Sequence, residues 1–212
     1  MADPAGLLKI GKPEHIGRLR DLGELYMRPL WKFAEEENDP HRGDRYEGTS
    51  YIWQPDVAQL QVEVAGTFQA IPGISGPIRH VSGLDRNTNV FCMYALRSLE
   101  TPTRIDERNA HFGQAFAYIT HVDEFLRRVR NNLPRGTHAR ADFVEYIDST
   151  IYTGPMMAFR KRREFAHQSE FRIAVSPGTG RDLIIPVGDL SDILIVGYSE
   201  QIVGRRVRAV GG

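Results

Sequence analysis

Cysteine and long apolar runs are the two features that this 212-residue sequence lacks most clearly. Cys92 is the only cysteine, so an internal disulfide is impossible and a zinc site built from cysteines is excluded. No apolar stretch reaches the length that spans a bilayer, and the first residues contain no signal-peptide core. These absences predict a cytoplasmic protein that makes no membrane contact.

An excess of charge of either sign is also missing, because Lys and Arg together number 27 and so do Asp and Glu. The overall field of the protein therefore favours neither nucleic acids nor membranes as partners. Basic residues cluster only locally, in the runs 127–130, 160–163 and 205–208, and such runs are usually solvated surface. A hydrophobic fraction of 41% is enough for a sizeable core, so residues 1–212 are predicted to form a single domain.

Several catalytic motifs are absent as well. The seven histidines are scattered, with no His-Glu-x-x-His or paired spacing, so the sequence predicts no dedicated metal site. There is no Gly-x-Ser-x-Gly turn for a serine hydrolase. The glycine-rich loops that join a strand to a helix and bind nucleotide phosphates are also missing.

What is present is a series of short strands with few helices. A strand over residues 7–11, a helix from Pro13 with Gly23 as its C-terminal cap, and a strand over 24–29 open the chain. Further strands are predicted at 51–53, 59–65, 90–96, 115–120, 143–147, 169–175, 182–186, 193–197 and 202–210. A second helix is predicted over 123–133, and the polar residues 35–48 are predicted to be a loop that contributes nothing to the core. The pattern is typical of an α+β fold, strand-rich with two or three helices.

The most informative segment is the polar-to-apolar stretch over residues 165–178. In a strand, residues two apart share a face, so Gln168, Glu170 and Arg172 are predicted to line one side. The apolar residues that alternate with them would then line the other. A carboxylate between an amide and a guanidinium indicates either a solvated edge strand or a glutamate held rigidly for catalysis or ligand orientation.

The pair Gln168 and Glu170, leading into an aliphatic strand and a Pro-Gly turn, resembles the catalytic strand of ADP-ribosyltransferases. The opening strand, helix, glycine and strand are similar to the start of that fold. The resemblance implies a split-sheet α+β domain that consumes NAD. It also implies that Glu170 stabilises the oxocarbenium-like transition state as the glycosidic bond of NAD breaks, and that Gln168 orients the acceptor.

The same resemblance implies a set of residues that bind NAD, which is the substrate rather than a resident cofactor. The family has a basic residue or histidine on its first strand, and the matching position here is a lysine. Arginines are candidates for the pyrophosphate, since a guanidinium binds phosphate bidentately, and tyrosines are candidates for stacking on nicotinamide. The predicted set is Lys9, Tyr26, Arg28, Arg42, Arg45 and Tyr51.

A longer stretch, from about Lys9 to Val175, resembles a widespread bacterial and phage-associated domain of unknown function. The matching segments are 38–40 with Glu47, 90–93, 144–146, and Lys161 followed by 168–172. This resemblance implies an accessory bacterial gene, a group in which toxins and phage-defence effectors are common. The acceptor of ADP-ribose would be a nucleic acid or a protein, and a cognate antitoxin is a further partner to test for.

Two other classes of function stay open. A non-catalytic ligand-binding or interaction module would use the polar strand and the charged loop to recognise a partner. A metal-dependent nuclease would need clustered carboxylates beside a lysine; the candidates are Asp39, Asp44 and Glu47, with Lys161 or Glu170. The transferase needs NAD and no metal, the nuclease needs a metal and no NAD, and the binding module needs neither.

Overall fold

The computed structural model describes residues 4–36, 43–73, 75–98 and 100–209, and within them the chain is a strand-rich α+β fold. No helix in these ranges is long and apolar enough to cross a membrane. The strands are β1 (Gly6–Gly11), β2 (Glu24–Pro29), β3 (Tyr51–Trp53), β4 (Gln61–Val64), β5 (Thr67–Ala70), β6 (Ile78–His80), β7 (Asn89–Leu96), β8 (Thr103–Arg104), β9 (Ala115–Ile119), β10 (His138–Phe143), β11 (Glu145–Ile147), β12 (Gly154–Pro155), β13 (Arg160–Arg162), β14 (Glu170–Ser176), β15 (Leu183–Pro186), β16 (Leu194–Tyr198) and β17 (Arg206–Val207). The α-helices are α1 (Pro13–Leu22), α2 (Leu30–Glu35), α3 (Gly83–Asn87) and α4 (Val122–Asn131), and 3₁₀ helices cover Glu107–Phe112, Arg163–Gln168 and Ser199–Gln201.

The main sheet is antiparallel, with its strands in the order β10-β14-β7-β1-β9-β16. A further antiparallel pair, β2 with β15, joins this sheet through β7. Smaller sheets are formed by β12-β3-β6, by the β4–β5 hairpin, by β8 with β17, and by the parallel pair β11 and β13. An antiparallel sheet with one apolar face needs a covering layer on that face.

Helices α1 and α4 provide that layer. Alternate residues of the central strands, such as Leu7, Phe91 and Ile173, belong to one buried cluster with the apolar residues of the two helices. Phe125 of α4 is fully buried there. Truncating a buried phenylalanine to alanine costs about 3 to 5 kcal/mol, so this layer is a major source of stability.

The opening β1–α1–β2 unit confirms the predicted strand 7–11, helix from Pro13 and strand 24–29. Pro13 begins α1, where its missing N–H costs no helical hydrogen bond. Gly23 ends the helix in the left-handed conformation with φ of 60°, and its N–H donates to the carbonyl of Arg18. A Cβ at this position would lie 2.0 Å from the carbonyl oxygen of Gly188, so the turn requires glycine on two counts.

The sheet forks along one edge of β7. At the C-terminal end of that edge Leu8 of β1 pairs with Tyr94, and at the N-terminal end Arg28 of β2 pairs with Val90. Between these points residues 91–93 have no ladder partner on this side in the described part of the chain. Because α1 connects the two diverging strands, the fork has a helix beside it and an opening between its arms.

Strand β14 is the element on which the site prediction depends. It begins at Glu170, one residue later than predicted, and is paired on both sides, by β10 and by β7. The edge-strand interpretation of this segment is therefore wrong. Phe171 and Ile173 face the core under the helices, while Glu170 and Arg172 share the opposite face, as the two-residue period predicts. Gln168 precedes the strand, on a 3₁₀ helix.

Other predicted elements need correction. The described residues contain four α-helices instead of two or three, since α2 and α3 are too short to show helical periodicity. The predicted strand 143–147 is two strands, divided at Val144. In the described part of the predicted strand 202–210 only residues 206–207 form a strand, because Ile202 and Val203 pack against a second apolar cluster from a turn. Val210 lies outside the described residues.

Candidate functional site

A cleft of about 480 Å³ opens in the fork of the sheet. Its lining is formed, from β1 and α1, by residues 8–12, His15, Ile16 and Leu19; from β2 and α2, by Glu24, Tyr26, Arg28, Lys32, Phe33 and Glu36; from β7, by residues 90–94; and from the far end, by Asn109, Phe112, Lys161, Gln168, Glu170 and Arg172. We call the part around Lys161, Glu170 and Arg172 the floor, and the part around Tyr26, Arg28 and Lys32 the mouth. The size is within the range of small-molecule sites.

Lys9 lies between the floor and the mouth. Its Nζ donates to the carbonyl oxygen of Cys92 at 2.7 Å and stands 4.5 Å from the ring centroid of Phe91. That carbonyl belongs to the part of β7 that has no neighbouring strand on the side of β1 and β2. Lys9 therefore satisfies a backbone acceptor that the fork leaves open, and it brings a positive charge into the cleft.

The mouth is built from partly exposed polar pairs. The hydroxyl of Tyr26 donates to Asp182 at 2.7 Å, and Lys32 forms an ion pair with the same carboxylate at 2.7 Å. Arg28 pairs with Glu36 at 2.7 Å. Tyr26 is 46% exposed, so a face of its ring is open to a ligand. Burial of part of the ring, followed by the contact with Asp182, raises the pKa of Tyr26.

The floor contains a closed ring of buried charges that includes Glu170. Lys161 Nζ donates to Glu170 Oε1 at 3.0 Å, and Arg172 Nε donates to Glu170 Oε2 at 2.6 Å. Arg172 also binds both carboxylate oxygens of Glu47, and Lys161 lies 3.5 Å from that carboxylate. We call these residues, Glu47, Lys161, Glu170 and Arg172, the charge ring.

Electrostatic interactions keep Lys161, Glu170 and Arg172 of the charge ring in their charged forms. Burial alone would raise the pKa of Glu170, but Arg172 and Lys161 outweigh burial and hold the pKa well below its usual range. Burial alone would lower the pKa of Lys161, yet Glu170 and Glu47 raise it. Arg172 is affected in the same way by the same two carboxylates. Glu170 is thus an anion and Lys161 a cation at neutral pH.

Two further contacts fix the floor. Gln168 accepts from Lys161 Nζ at 2.6 Å through its amide oxygen, so it contacts the same cation as Glu170. The backbone N–H of Glu170 donates to the hydroxyl oxygen of Tyr146 at 2.8 Å. Burial raises the pKa of Tyr146 far above its usual range, so this hydroxyl stays protonated. The first residue of β14 is therefore anchored by both its side chain and its backbone.

Cys92 lines the cleft on β7, opposite Arg172 in the sheet register. Burial, together with the charge of Glu170, raises the pKa of its thiol to about 12. A thiol with such a pKa is almost entirely protonated at neutral pH and is a poor nucleophile. This agrees with the sequence, which indicates a small hydrophobic residue at this position.

The cleft gathers most of the predicted site residues. Lys9, Tyr26, Arg28, Gln168 and Glu170 all line it, although they come from four elements of the chain. Their meeting depends on the fork, since β1 and β2 approach β14 only through β7. The prediction that these five residues lie together is thus consistent with the observed geometry.

The remaining candidates do not line the cleft. Arg45 is exposed and lies over the ring of Tyr46 at 5.4 Å, and its carbonyl accepts from Arg79. Tyr51 on β3 packs against Trp53 with ring centroids 4.4 Å apart. Arg45 contacts Arg79 of β6 and Tyr51 belongs to β3, so both residues lie at the small sheet β12-β3-β6 instead of the cleft. Arg42 lies outside the described residues.

The loop prediction for residues 35–48 missed Glu47, one of the two carboxylates of the charge ring. Asp44 and Glu47 are buried, and Asp44 accepts from Arg162 Nε at 2.7 Å, so the expectation that this loop adds nothing to the core is wrong. One signal was available in the sequence. An arginine on a central strand needs a buried counter-ion beyond Glu170, and acidic residues of the loop could supply it.

The nuclease interpretation gains no geometric support. Among the described residues there is no group of three or more His, Cys, Asp or Glu side chains placed to hold a metal ion. Asp44 and Glu47 are each bonded to an arginine, which occupies the oxygens that a metal would need. Asp39, the third carboxylate of that interpretation, lies outside the described residues.

Comparisons with protein-family models, with curated proteins and with solved structures find no match to this chain. A proposed function therefore depends on the chemistry of the cleft and on the sequence resemblance of the Gln168–Glu170 strand.

Proposed function

We propose that the chain is an NAD-dependent ADP-ribosyltransferase whose substrate binds in the cleft of the forked sheet. The observation that supports this most is the position of Glu170. It is an ionised carboxylate at the floor of a nucleotide-sized cleft, with Gln168 beside it and Lys9 and Arg28 along the cleft. We further propose that the fork at β7 is the split sheet that the resemblance to ADP-ribosyltransferases implies.

The sheet register gives the length of the ligand that fits. Arg28 lies at the level of Val90, and Glu170 at the level of Tyr94 on the same strand. Four residues of extended strand span roughly 13 Å. A ligand that reaches from Arg28 to Glu170 is thus longer than one phosphate or one sugar, and a nucleotide with a second substituent has the required length.

The chemistry proposed for the floor is dissociative. The bond between ribose C1′ and the nicotinamide nitrogen breaks, its electrons leave with nicotinamide, and positive charge develops on the ribose. An anionic carboxylate stabilises that charge more in the transition state than in the ground state, which is what accelerates the step. The acceptor nucleophile then bonds to C1′ and its proton passes to solvent.

Gln168 is proposed to act on the acceptor. Its amide oxygen contacts Lys161, so the side chain is oriented by a fixed cation. A side-chain amide in that position can hydrogen-bond a hydroxyl or amine of the incoming acceptor. The acceptor would be a nucleic acid or a protein, and a role as a bacterial toxin or phage-defence effector with a cognate antitoxin stays a prediction.

A second candidate is a non-catalytic module that binds an anionic small molecule in the same cleft. One observation favours it: each carboxylate oxygen of Glu170 already accepts from a cation. A carboxylate held in this way can stabilise the fold. Its negative charge is partly neutralised by the two cations, which makes it less effective as a catalyst. The module would bind NAD or a related nucleotide without releasing nicotinamide.

The test is NAD consumption by the purified protein with RNA, DNA and cell lysate as acceptors. We expect nicotinamide release by the wild type, a loss in Glu170→Ala, and in Gln168→Ala a weaker transfer to acceptor with NAD binding retained. NAD binding without release in the wild type would favour the binding module. A Gln168→Ala variant that loses NAD binding alone would contradict the role given to Gln168.

A further inference from the structure

Glu47 contacts both cations that bind Glu170, yet it is not among the described residues that line the cleft. Its side chain is fully buried. Its carboxylate accepts from Arg172 Nη1 at 2.9 Å and also from Nη2, so the contact is bidentate. A glutamate in this position has no direct access to a ligand, and any influence on the ligand must pass through the two cations.

The guanidinium of Arg172 is fixed on three sides. Besides the two bonds to Glu47, Nη1 donates to the carbonyl of Ala158 at 2.9 Å, and Nε donates to Glu170 at 2.6 Å. Because the guanidinium is planar, these contacts determine the direction from which Nε approaches Glu170. Glu47 thus helps to orient the donor that contacts the catalytic carboxylate.

The charge ring has two carboxylates and two cations, so its net charge is zero. Without the charge of Glu47 the same group would carry a net charge of +1. In a buried environment one unit charge is felt strongly at neighbouring atoms. A floor with a net positive charge would attract anions and repel a developing cation.

We propose that Glu47 is a positioning residue that sets the charge preference of the cleft floor, acting through Arg172 and Lys161. By keeping the charge ring neutral it favours an uncharged or cationic group beside Glu170 over an anion. The inference rests on the proposed function at one point only, namely that the group stabilised beside Glu170 is the ribosyl cation.

Cys92 provides a built-in reporter of this charge, because it is the only cysteine and lines the cleft. The charged groups that act on it are Glu170 and Arg172 from β14, Lys9 from β1, and Glu47. Iodoacetate and iodoacetamide react with the same thiolate, but only iodoacetate is an anion. The ratio of their rates therefore measures the local potential independently of how much thiolate is present.

The experiment compares the wild type with Glu47→Gln, which keeps the size of the side chain and removes its charge. We expect the ratio of the iodoacetate rate to the iodoacetamide rate to rise at least about threefold. The double variant Glu47→Gln with Lys161→Met restores neutrality and should return the ratio to the wild-type value. Glu145→Gln, which removes a carboxylate that is 61% exposed, is the matched control and should leave the ratio unchanged. Cys92→Ser gives the background.

A ratio that stays at the wild-type value in folded Glu47→Gln would overturn the inference. So would a Cys92 that neither reagent modifies even at a pH high enough to populate its thiolate, since the open cleft would then be absent. If the single variant does not fold, the neutral double variant decides: a folded double variant with the wild-type ratio supports control by charge, and an unfolded one shows that Glu47 only anchors the fold. Absence of NAD turnover in the wild type would leave the Cys92 result standing and would refute the proposed function alone.

Discussion

The floor and the mouth of the cleft use the same chemistry in opposite surroundings. At both ends carboxylates pair with arginine and lysine, at 2.6 to 3.0 Å for Glu170 and at 2.7 Å for Asp182 with Lys32. The difference is exposure. The side chain of Arg172 is 2% exposed, whereas Arg28 and its partner Glu36 are 24% and 32% exposed.

This difference assigns the two ends different roles. Removing charges from water is costly, so the buried pairs of the floor persist only because each member has several partners. Exposed pairs contribute little to stability, and a ligand can replace one partner at small cost. We infer that the floor is preorganised for the reacting group, while the mouth exchanges its own ion pairs for contacts with the ligand.

The largest difference between floor and mouth is expected in how much a substitution lowers the stability of the protein. Arg172→Met leaves Glu47 and Glu170 facing each other with Lys161 as the only nearby cation of the ring. We expect a loss of about 3 to 5 kcal/mol in the free energy of unfolding, measured by urea denaturation. Arg28→Met at the mouth is the matched control and should cost less than about 1 kcal/mol. Equal losses in the two variants would show that burial does not distinguish the two ends.

The next largest effect concerns turnover. Glu170→Gln keeps the shape of the side chain but removes the anion, so NAD cleavage should fall by about 100-fold or more with a small change in KM. At the mouth, Lys32→Met should change KM by a few fold and leave kcat nearly intact. A reversed pattern, with KM altered at the floor and kcat at the mouth, would contradict the division of roles.

A smaller effect is expected in the pH dependence of stability. The folded pKa of Glu170 lies below its ordinary value of 4.5, so its ion pairs contribute fully above that value and are lost as the pH falls toward the folded pKa. Glu170→Gln should flatten the fall in unfolding free energy as the pH is lowered below about 5. The pKa of Asp182 is also lowered, but this carboxylate is exposed, so Asp182→Asn should flatten the curve less. Identical slopes in the wild type and Glu170→Gln would argue against the charged ring.

The smallest effect is expected at Tyr26. Tyr26→Phe removes only the exposed bond to Asp182, so the free energy of unfolding should change by less than about 0.5 kcal/mol. If the ring stacks on the ligand, NAD binding measured by calorimetry should persist in Tyr26→Phe and weaken in Tyr26→Ala. Equal weakening in both variants would show that the hydroxyl, rather than the ring, contacts the ligand.

The contrast between floor and mouth also shows which parts of the fold and the site could be predicted from the sequence. Local patterns predicted β1, α1 and β2, because the proline, the glycine and the apolar period all act within a few residues. The two-residue period of β14 correctly placed Glu170 and Arg172 on one face. Of the mouth, these local elements place only Tyr26 and Arg28, on β2, because Lys32 lies on the unpredicted helix α2 and Asp182 is 156 positions from Tyr26.

The buried floor depends on pairings that local patterns do not encode. Glu47 meets Arg172 across 125 positions of sequence, and the loop that carries it looks solvated because eight of the fourteen residues 35–48 are charged. Only the need of a buried arginine for a counter-ion points to such a partner, and that need does not say which carboxylate meets it. Local patterns also do not show that Arg45 and Tyr51 lie away from the cleft, because tertiary contacts with β6 set their positions.

The most direct test of the central claim, that NAD binds above Glu170 in the fork, is the rate at which iodoacetamide modifies Cys92 as NAD is added. Cys92 lines the cleft beside Arg172 and is the only thiol, so every modification reports on this site. We expect saturating NAD to slow the modification by about tenfold or more, because an occupied cleft excludes the reagent. A rate that does not change at any NAD concentration, in a protein that consumes or binds NAD, would place the NAD site elsewhere and contradict the role given to Glu170.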